Sequence, residues 1–122
     1  LEAHGCVAPF ARHIDAETSF IRFPLLVSNP DRFMAFFSAS DIEVGRWFNS
    51  PVSGDGQSPT QYGYTWGSCP IGEYVAQHIV NLPLHGRLTT EHVKLIAETL
   101  NQYLCIHPDE LEFIRWSSTL EL

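Results

Sequence analysis

Basic residues are scarce in this chain, which has seven lysines and arginines against fourteen aspartates and glutamates and a formal net charge of −7. No two of the basic residues are adjacent in the sequence. Nucleic-acid binding depends on clustered Lys and Arg side chains that contact phosphates. The composition therefore predicts that nucleic acid is not a partner of this protein.

Long apolar runs and a cysteine framework are also missing. No apolar run approaches the roughly 18–20 residues that a membrane-spanning helix needs, and no basic-then-apolar signal segment starts the chain. The cysteines, Cys6, Cys69 and Cys105, are odd in number and widely spaced, which favours free thiols in a reducing compartment. We therefore expect a cytoplasmic protein without a membrane partner.

The remaining composition is that of one globular domain. The 122 residues are 44% hydrophobic and 17% charged, which suffices for a modest core. The chain begins at Leu1, and its single methionine is Met34. We therefore expect a fragment, an excised domain or a processed chain of a longer protein.

The segment 67–85 predicts a helix followed by a short extended piece. Pro70 suits the first helical position, where a missing N–H costs nothing, and Ser68 is a better side-chain acceptor for the cap than Cys69. Asn81 is expected to end the helix before Pro83. Five residues at helical spacing form the expected buried stripe: Ile71, Tyr74, Val75, His78 and Ile79.

Residues 19–27 are rich in Phe, Ile, Leu and Val and predict a strand. Pro24 lacks an amide donor, which places this strand at a sheet edge or gives it a bulge. The wholly apolar face of the strand is expected to meet the core, and it consists of Ile21, Phe23, Leu25 and Val27.

Two further helices and a second strand follow from local signals. Asn29 as a cap before Pro30 predicts a helix that runs to about Ser40, and residues 42–48 predict a strand in which Trp47 or Phe48 faces the core. Thr89 can cap a helix over 89–104. The apolar stripe of that helix is Val93, Ile96, Ala97, Leu100 and Leu104.

The segment between Asn49 and Gly67 has loop composition over about 18 residues, a length that is uncommon in compact domains and often functional. Tyr62, Tyr64 and Trp66 alternate within it. Three readings stay open: the aromatic residues form a short strand, pack the loop against the domain, or contact a ligand.

The order of a helix, Leu-Pro-Leu-His at 82–85 and a second helix resembles the C-terminal end of the DegT–StrS family. These are pyridoxal phosphate (PLP) sugar aminotransferases of fold type I. Residues 19–27 resemble the strand that opens the family's small domain, and residues 42–51 resemble its active-site-facing segment. The resemblance covers roughly residues 7–104, with the segments in the family's order.

The resemblance implies an α+β fold: a small antiparallel sheet of about three strands with helices packed on one face. Such a domain is the C-terminal domain of fold type I aminotransferases. It divides the chain into a lead-in segment (1–18), the small domain (19–104) and a tail (105–122) that adds a strand or docks as an arm.

The resemblance also implies a function. The chain would be the C-terminal domain of a homodimeric PLP-dependent aminotransferase that aminates a keto-sugar nucleotide with an amino-acid donor. It would close over the active site and shape the sugar pocket, while a large domain upstream binds PLP. The alternative is a stand-alone, non-catalytic binding or assembly module derived from that domain.

The chain itself offers no catalytic or cofactor-binding residue. Its single lysine, Lys94, lies on the last predicted helix and is expected to face solvent, whereas the family's Schiff-base lysine belongs to the large domain. Gly54-Asp55-Gly56 is too short and acidic for a phosphate-binding loop. Cys105 and His107 lack partners at zinc-ligand spacing, so no metal site is expected.

The substrate contacts that the resemblance implies come from the end of the second strand and the loop after it. We expect them to be Arg46, Trp47, Asn49, Ser50 and Tyr64. Arg46 suits the diphosphate of a nucleotide-linked sugar or the carboxylate of the amino donor, through bidentate hydrogen bonds. The family often has a different polar residue beside this glycine, so a surface arginine is the alternative.

Overall fold

A computed structural model describes residues 21–52, 58–110 and 113. The predicted lead-in segment, the glycines of 54–56 and most of the tail lie outside these residues, so the division into three segments stays a prediction. The elements are β1 (Phe23–Leu26), α1 (Pro30–Ser38), a 3₁₀ turn (Pro59–Tyr62), α2 (Pro70–His78), β2 (Ile79–Leu82) and α3 (Thr90–Ile106).

The sheet is small and antiparallel. β1 pairs with β2 in a register that places Phe23 opposite Leu82 and Leu26 opposite Ile79. Gly45 adds an isolated bridge to Asn81 on the other edge of β2. This arrangement confirms the α+β class, with two strands and a bridge among the described residues in place of about three strands.

The predicted strand over 42–48 is reduced to that bridge because β2 has no donors to extend the pairing. Beyond the bridge in one direction stands Pro83, which has no N–H to offer. In the other direction, the N–H of Ile79 already donates to the Val75 carbonyl at the end of α2. Pairing therefore stops on both sides of Gly45.

Local capping chemistry places the first and last helices as predicted. The Asn29 side chain accepts from the Arg32 N–H at 3.0 Å, with Pro30 at the first helical position. Thr89 accepts from the His92 N–H, and His92 Nδ1 accepts from the Thr89 N–H, which forms a reciprocal capping box.

Two details of the middle helix differ from expectation. The cap of α2 is Cys69, without a side-chain cap bond, because the Ser68 hydroxyl donates instead to the Thr65 carbonyl at 2.6 Å. The helix also ends earlier, since β2 begins at Ile79. Asn81 therefore lies within a strand, where it is buried, and does not end the helix.

The core joins both strands to α1 and to the second half of α3. Phe33 stacks on Phe37 and meets the Tyr103 ring edge-on, with centroid distances of 4.4 and 4.9 Å. The buried cluster consists of Leu25, Val27, Phe33, Phe37, Ile42, Val44, Val80, Leu82, Leu100, Tyr103 and Leu104.

Four residues of the predicted strand face and helix stripes are exposed. Ile21 is 85% exposed because β1 begins only at Phe23. Val93 is 54% exposed, and Ala97 is exposed too, because the buried side chains of α3 lie between Thr99 and Leu104. Of the stripe predicted for α2, Ile71 is exposed, and the buried residue of that helix is Ala76.

Candidate functional site

The segment 45–48 is attached to β2 by backbone and side-chain hydrogen bonds. Gly45 and Asn81 exchange N–H to carbonyl bonds at 2.9 and 2.7 Å. Asn81 is 4% exposed, and its Nδ2 donates to the Trp47 carbonyl at 2.5 Å. A single buried asparagine therefore determines where Arg46 and Trp47 leave the sheet.

Arg46 spans two helix ends. Its Nη1 donates to an Asp31 carboxylate oxygen at 3.3 Å in the first turn of α1, and its Nη2 donates to the Gln77 carbonyl at 3.0 Å near the end of α2. Its Nε is buried and has no hydrogen-bond partner among the described residues. These contacts use one N–H of each Nη atom and leave a second N–H on each.

Trp47 and Phe48 form an exposed aromatic surface beside Arg46. Their rings lie 3.8 Å apart, and the Arg22 guanidinium lies 3.9 Å above the Trp47 ring, at cation–π distance. The side chains are 43% and 41% exposed. The expectation that one of them belongs to the core is wrong, because the chain turns away from the sheet after Gly45.

Asn49 and Ser50 continue along the same surface. Asn49 is exposed, and the Ser50 hydroxyl accepts from the Val52 N–H at 3.4 Å. Ser50 also lines an open cavity of about 380 Å³ against α2. The other lining residues are Phe48, Pro51, Gly72, Val75, Ala76 and Ile79.

Tyr64 lies at the opposite end of α2 from Arg46. Its hydroxyl donates to the Glu73 carboxylate at 2.8 Å, and the same oxygen accepts from the Gly67 N–H at 2.6 Å. Burial raises the pKa of the Tyr64 hydroxyl, and the hydrogen bond to Glu73 raises it further. Glu73 therefore holds the loop to the helix start, in addition to its favourable position in the first turn.

The five predicted contact residues are thus arranged along α2 and not in one cluster. Arg46 contacts the end of the helix, Ser50 its side, and Tyr64 its beginning. A ligand that touched all of them would lie along this helix.

A cleft of about 480 Å³ is lined by residues of β2 and of the first half of α3, and sequence reasoning did not predict it. Arg22, Gly45 and Asn81 line it, together with His85 and His92. Each histidine accepts a backbone N–H at Nδ1, from Arg87 and Thr89, so the neutral rings carry their hydrogens on Nε2. Two acidic residues, Asp41 and Glu43, also line the cleft, and the other lining residues are apolar.

A second group that sequence reasoning missed surrounds Glu110, whose side chain is completely buried. Its carboxylate accepts from the N–H and the hydroxyl of Ser28, from Arg32 Nη2 at 3.3 Å and from the Tyr103 hydroxyl at 3.2 Å. Arg32 also pairs with Asp109 at 3.0 Å. We call these five residues the Glu110 cluster. The Arg32 guanidinium lowers the pKa of Asp109, and burial raises the pKa of Tyr103.

The described residues do not fit PLP as a resident cofactor. Covalent binding of PLP needs a lysine in a cleft, and Lys94 is exposed on α3, as the sequence predicted. Within residues 21–52, 58–110 and 113, no group of three or more His, Cys, Asp or Glu side chains is arranged to hold a metal ion. The helices of this part of the chain are too short or too polar to cross a membrane.

The geometry defines a small α+β domain with an arginine and an aromatic surface displayed beside a helix. A model of the DegT/DnrJ/EryC1/StrS aminotransferase family matches residues 1–101, and the chain belongs to this family. The match confirms the resemblance seen in the sequence. Comparisons with curated proteins and with solved structures found no match.

Proposed function

We propose that this chain is the C-terminal part of a PLP-dependent aminotransferase that transfers an amino group from an amino-acid donor to a keto-sugar nucleotide. Its family membership supports the reaction class. In this proposal a large domain upstream holds PLP, which supplies the electron sink for the transfer. The present chain closes over the active site and shapes the sugar pocket of a cytoplasmic homodimer.

The observation that carries the proposal is the way Arg46 is held. Two hydrogen bonds fix its guanidinium between α1 and α2, and the side chain remains 31% exposed. The second N–H on each Nη atom is oriented by those bonds and offers two donors to an anion. A fixed pair of donors suits the diphosphate of a nucleotide sugar or the carboxylate of the amino donor.

The neighbouring side chains suit the sugar. Trp47 and Phe48 offer apolar ring surface, and ligand pockets combine such surface with a few polar groups that fix orientation. Asn49 contributes an exposed amide and Ser50 a hydroxyl at the edge of a cavity. Tyr64, whose hydroxyl donates to Glu73, contributes a half-buried aromatic ring.

The test uses the protein encoded by the complete reading frame in which this chain lies. The purified protein should show PLP absorbance and aminate a keto-sugar nucleotide. Arg46→Ala should raise the KM for the acceptor roughly ten- to hundredfold, since a hydrogen bond to a charged group contributes about 1.5–3 kcal/mol.

The control for this experiment is Arg87→Ala, which removes an exposed arginine that lies outside the segment 46–50. It should leave the KM for the acceptor unchanged. If both variants have the same KM, Arg46 does not contact the substrate. Absence of both PLP absorbance and amination would reject the aminotransferase proposal.

A second candidate function is a non-catalytic binding or assembly module. The observation in its favour is the cleft of about 480 Å³, which this chain forms without a second domain. A reading frame that starts near Leu1, a product without PLP absorbance and retained binding of a nucleotide sugar would together favour the module over the enzyme.

A further inference from the structure

Arg46 donates its two hydrogen bonds to residues at two helix ends. Residues near the C-terminal end of the described chain contact the same two helix ends. One end is the first turn of α1, where Asp31 lies beside Arg32. The other is the last turn of α2, where Gln77 lies beside His78. The geometry at Arg46 therefore depends on where these two helix ends are placed.

At the first turn of α1, the C-terminal residues make four contacts with Ser28 and Arg32. The Glu110 carboxylate accepts the N–H and the hydroxyl of Ser28 and a hydrogen bond from Arg32 Nη2. Asp109 accepts a second bond from the same Nη2 atom. A buried carboxylate is stable only when it is paired and hydrogen-bonded. The donors on Ser28 and Arg32 therefore fix the position of the Glu110 carboxylate, and the carboxylate in turn fixes theirs.

At the last turn of α2, Phe113 stacks on the His78 ring with a centroid distance of 5.5 Å. His78 is itself held in the helix, since its Nδ1 lies 2.7 Å from the Tyr74 carbonyl and its ring stacks on Tyr74. The residue before His78 supplies the carbonyl that Arg46 binds. Phe113 thus contacts the end of the helix directly beside the acceptor of Arg46.

We propose that Glu110 and Phe113 are positioning residues for Arg46: they hold the ends of α1 and α2 at the separation that the Arg46 guanidinium spans. The role of Arg46 as a substrate contact rests on the proposed function, but the positioning itself does not. The proposal assigns a role to a segment that lies beyond the residues matched by the family.

The buried Nε of Arg46 supplies a direct readout. A buried N–H exchanges with water only when the structure around it opens. The measurement uses the intact protein with its arginines labelled with nitrogen-15. The Arg46 signal is identified by its loss in Arg46→Lys. In the parent protein the Nε–H of Arg46 should exchange slowly with water.

Glu110→Gln should make this exchange about tenfold faster. The neutral amide replaces the carboxylate that holds Ser28 and Arg32, leaving Arg32 its bond to Asp109, and turns an N–H towards one of the former donors. The matched control is Glu98→Gln, the same change at an exposed position of α3, which should leave the exchange rate unchanged. Phe113→Leu tests the other helix end and serves as the second variant if Glu110→Gln fails to fold.

The backbone amides of Phe37 and Leu100 in the core, which lie outside the two helix ends, separate positioning from general destabilisation. Positioning requires the Arg46 Nε–H to exchange faster while these amides keep their protection. If the Nε–H and the core amides change in proportion, or if the Nε–H does not change in either variant, the positioning proposal is wrong. A loss of substrate contact in Arg46→Ala is measured separately, so the proposed function can fail while the positioning result stands.

Discussion

Gly45 and Asn81 exchange both of their backbone hydrogen bonds, at 2.9 and 2.7 Å, and this pair carries the segment that leads to Arg46. The Asn81 side chain extends the attachment by donating to the Trp47 carbonyl. The backbone pair depends on no side chain, whereas the bond to Trp47 depends on the amide nitrogen of Asn81. A substitution can therefore remove the second attachment and keep the first.

Asn81→Asp is the change that isolates this attachment, since the two side chains have the same shape. The carboxylate cannot donate to the Trp47 carbonyl, and it is buried without its former partner. We expect a loss of about 3–5 kcal/mol in the free energy of unfolding, measured by urea denaturation at neutral pH, because an uncompensated charge is buried. The KM for the acceptor in the intact protein should also rise, because the Trp47 carbonyl, which follows Arg46 in the chain, loses its attachment to β2.

Gln102→Glu is a suitable control for that variant, since it makes the same chemical change at an exposed position of α3. Its unfolding free energy should stay within about 0.5 kcal/mol of the parent value. Equal stability of Asn81→Asp and the parent protein would show that the bond to Trp47 contributes nothing to the attachment.

Glu73→Gln should lower the pKa of the Tyr64 hydroxyl towards its ordinary value. Burial is the largest cause of the raised pKa and remains in the variant, but the carboxylate that disfavours the tyrosinate is removed. The pKa is measured from the carbon-13 shift of the Tyr64 ring as pH is raised. Glu43→Gln, an exposed change remote from Tyr64 in sequence, is the control and should leave the titration unaltered.

The sign of the accompanying stability change follows from the direction of the shift. A hydroxyl whose pKa is higher in the folded than in the unfolded protein stabilises the fold below the ordinary value of about 10. That contribution is lost as pH rises through the raised value. The parent protein should therefore lose more stability than Tyr64→Phe in this alkaline range, and an equal loss would contradict the assignment.

The parts of this fold that could be predicted from the sequence depend on groups that are neighbours in the chain. Asn29 before Pro30 and Thr89 three residues before His92 determine two helix starts through bonds between residues three apart. The reduction of the predicted strand over 42–48 to a single bridge could not be predicted. It depends on the pairing of Gly45 with Asn81, which places Pro83 next to the bridge.

In the candidate site, too, contacts between residues far apart in the chain could not be predicted from the sequence. The substrate contacts at Arg46 and its neighbours stay a prediction from the resemblance. The contact of Arg22 with Trp47 was not predicted, because it joins residues 25 positions apart. Glu110 was missed because Ser28 lies 82 residues away along the chain. A glutamate after His-Pro-Asp has the pattern of an exposed first turn, and only the tertiary structure shows that it is buried.

Asp109→Asn should lower the free energy of unfolding at neutral pH. The difference between variant and parent should become smaller as the pH falls. Arg32 lowers the pKa of the Asp109 carboxyl, so the carboxylate stabilises the fold above the ordinary value of about 3.9. That contribution disappears as pH falls through the lowered value. Urea midpoints of variant and parent should therefore converge in the acid range, whereas Glu98→Gln should show no such convergence.

Lys94→Ala tests the assignment of the chain's single lysine to the surface. Lys94 is exposed on α3, where the neighbouring side chains of Val93 and Leu95 are also exposed, so truncation removes no buried contact. The free energy of unfolding should change by no more than about 0.5 kcal/mol. In the intact protein both PLP absorbance and amination should persist, because the proposal places the Schiff-base lysine in the upstream domain. Loss of the absorbance in this variant alone would instead make Lys94 the residue that binds the cofactor and would require α3 to border its pocket.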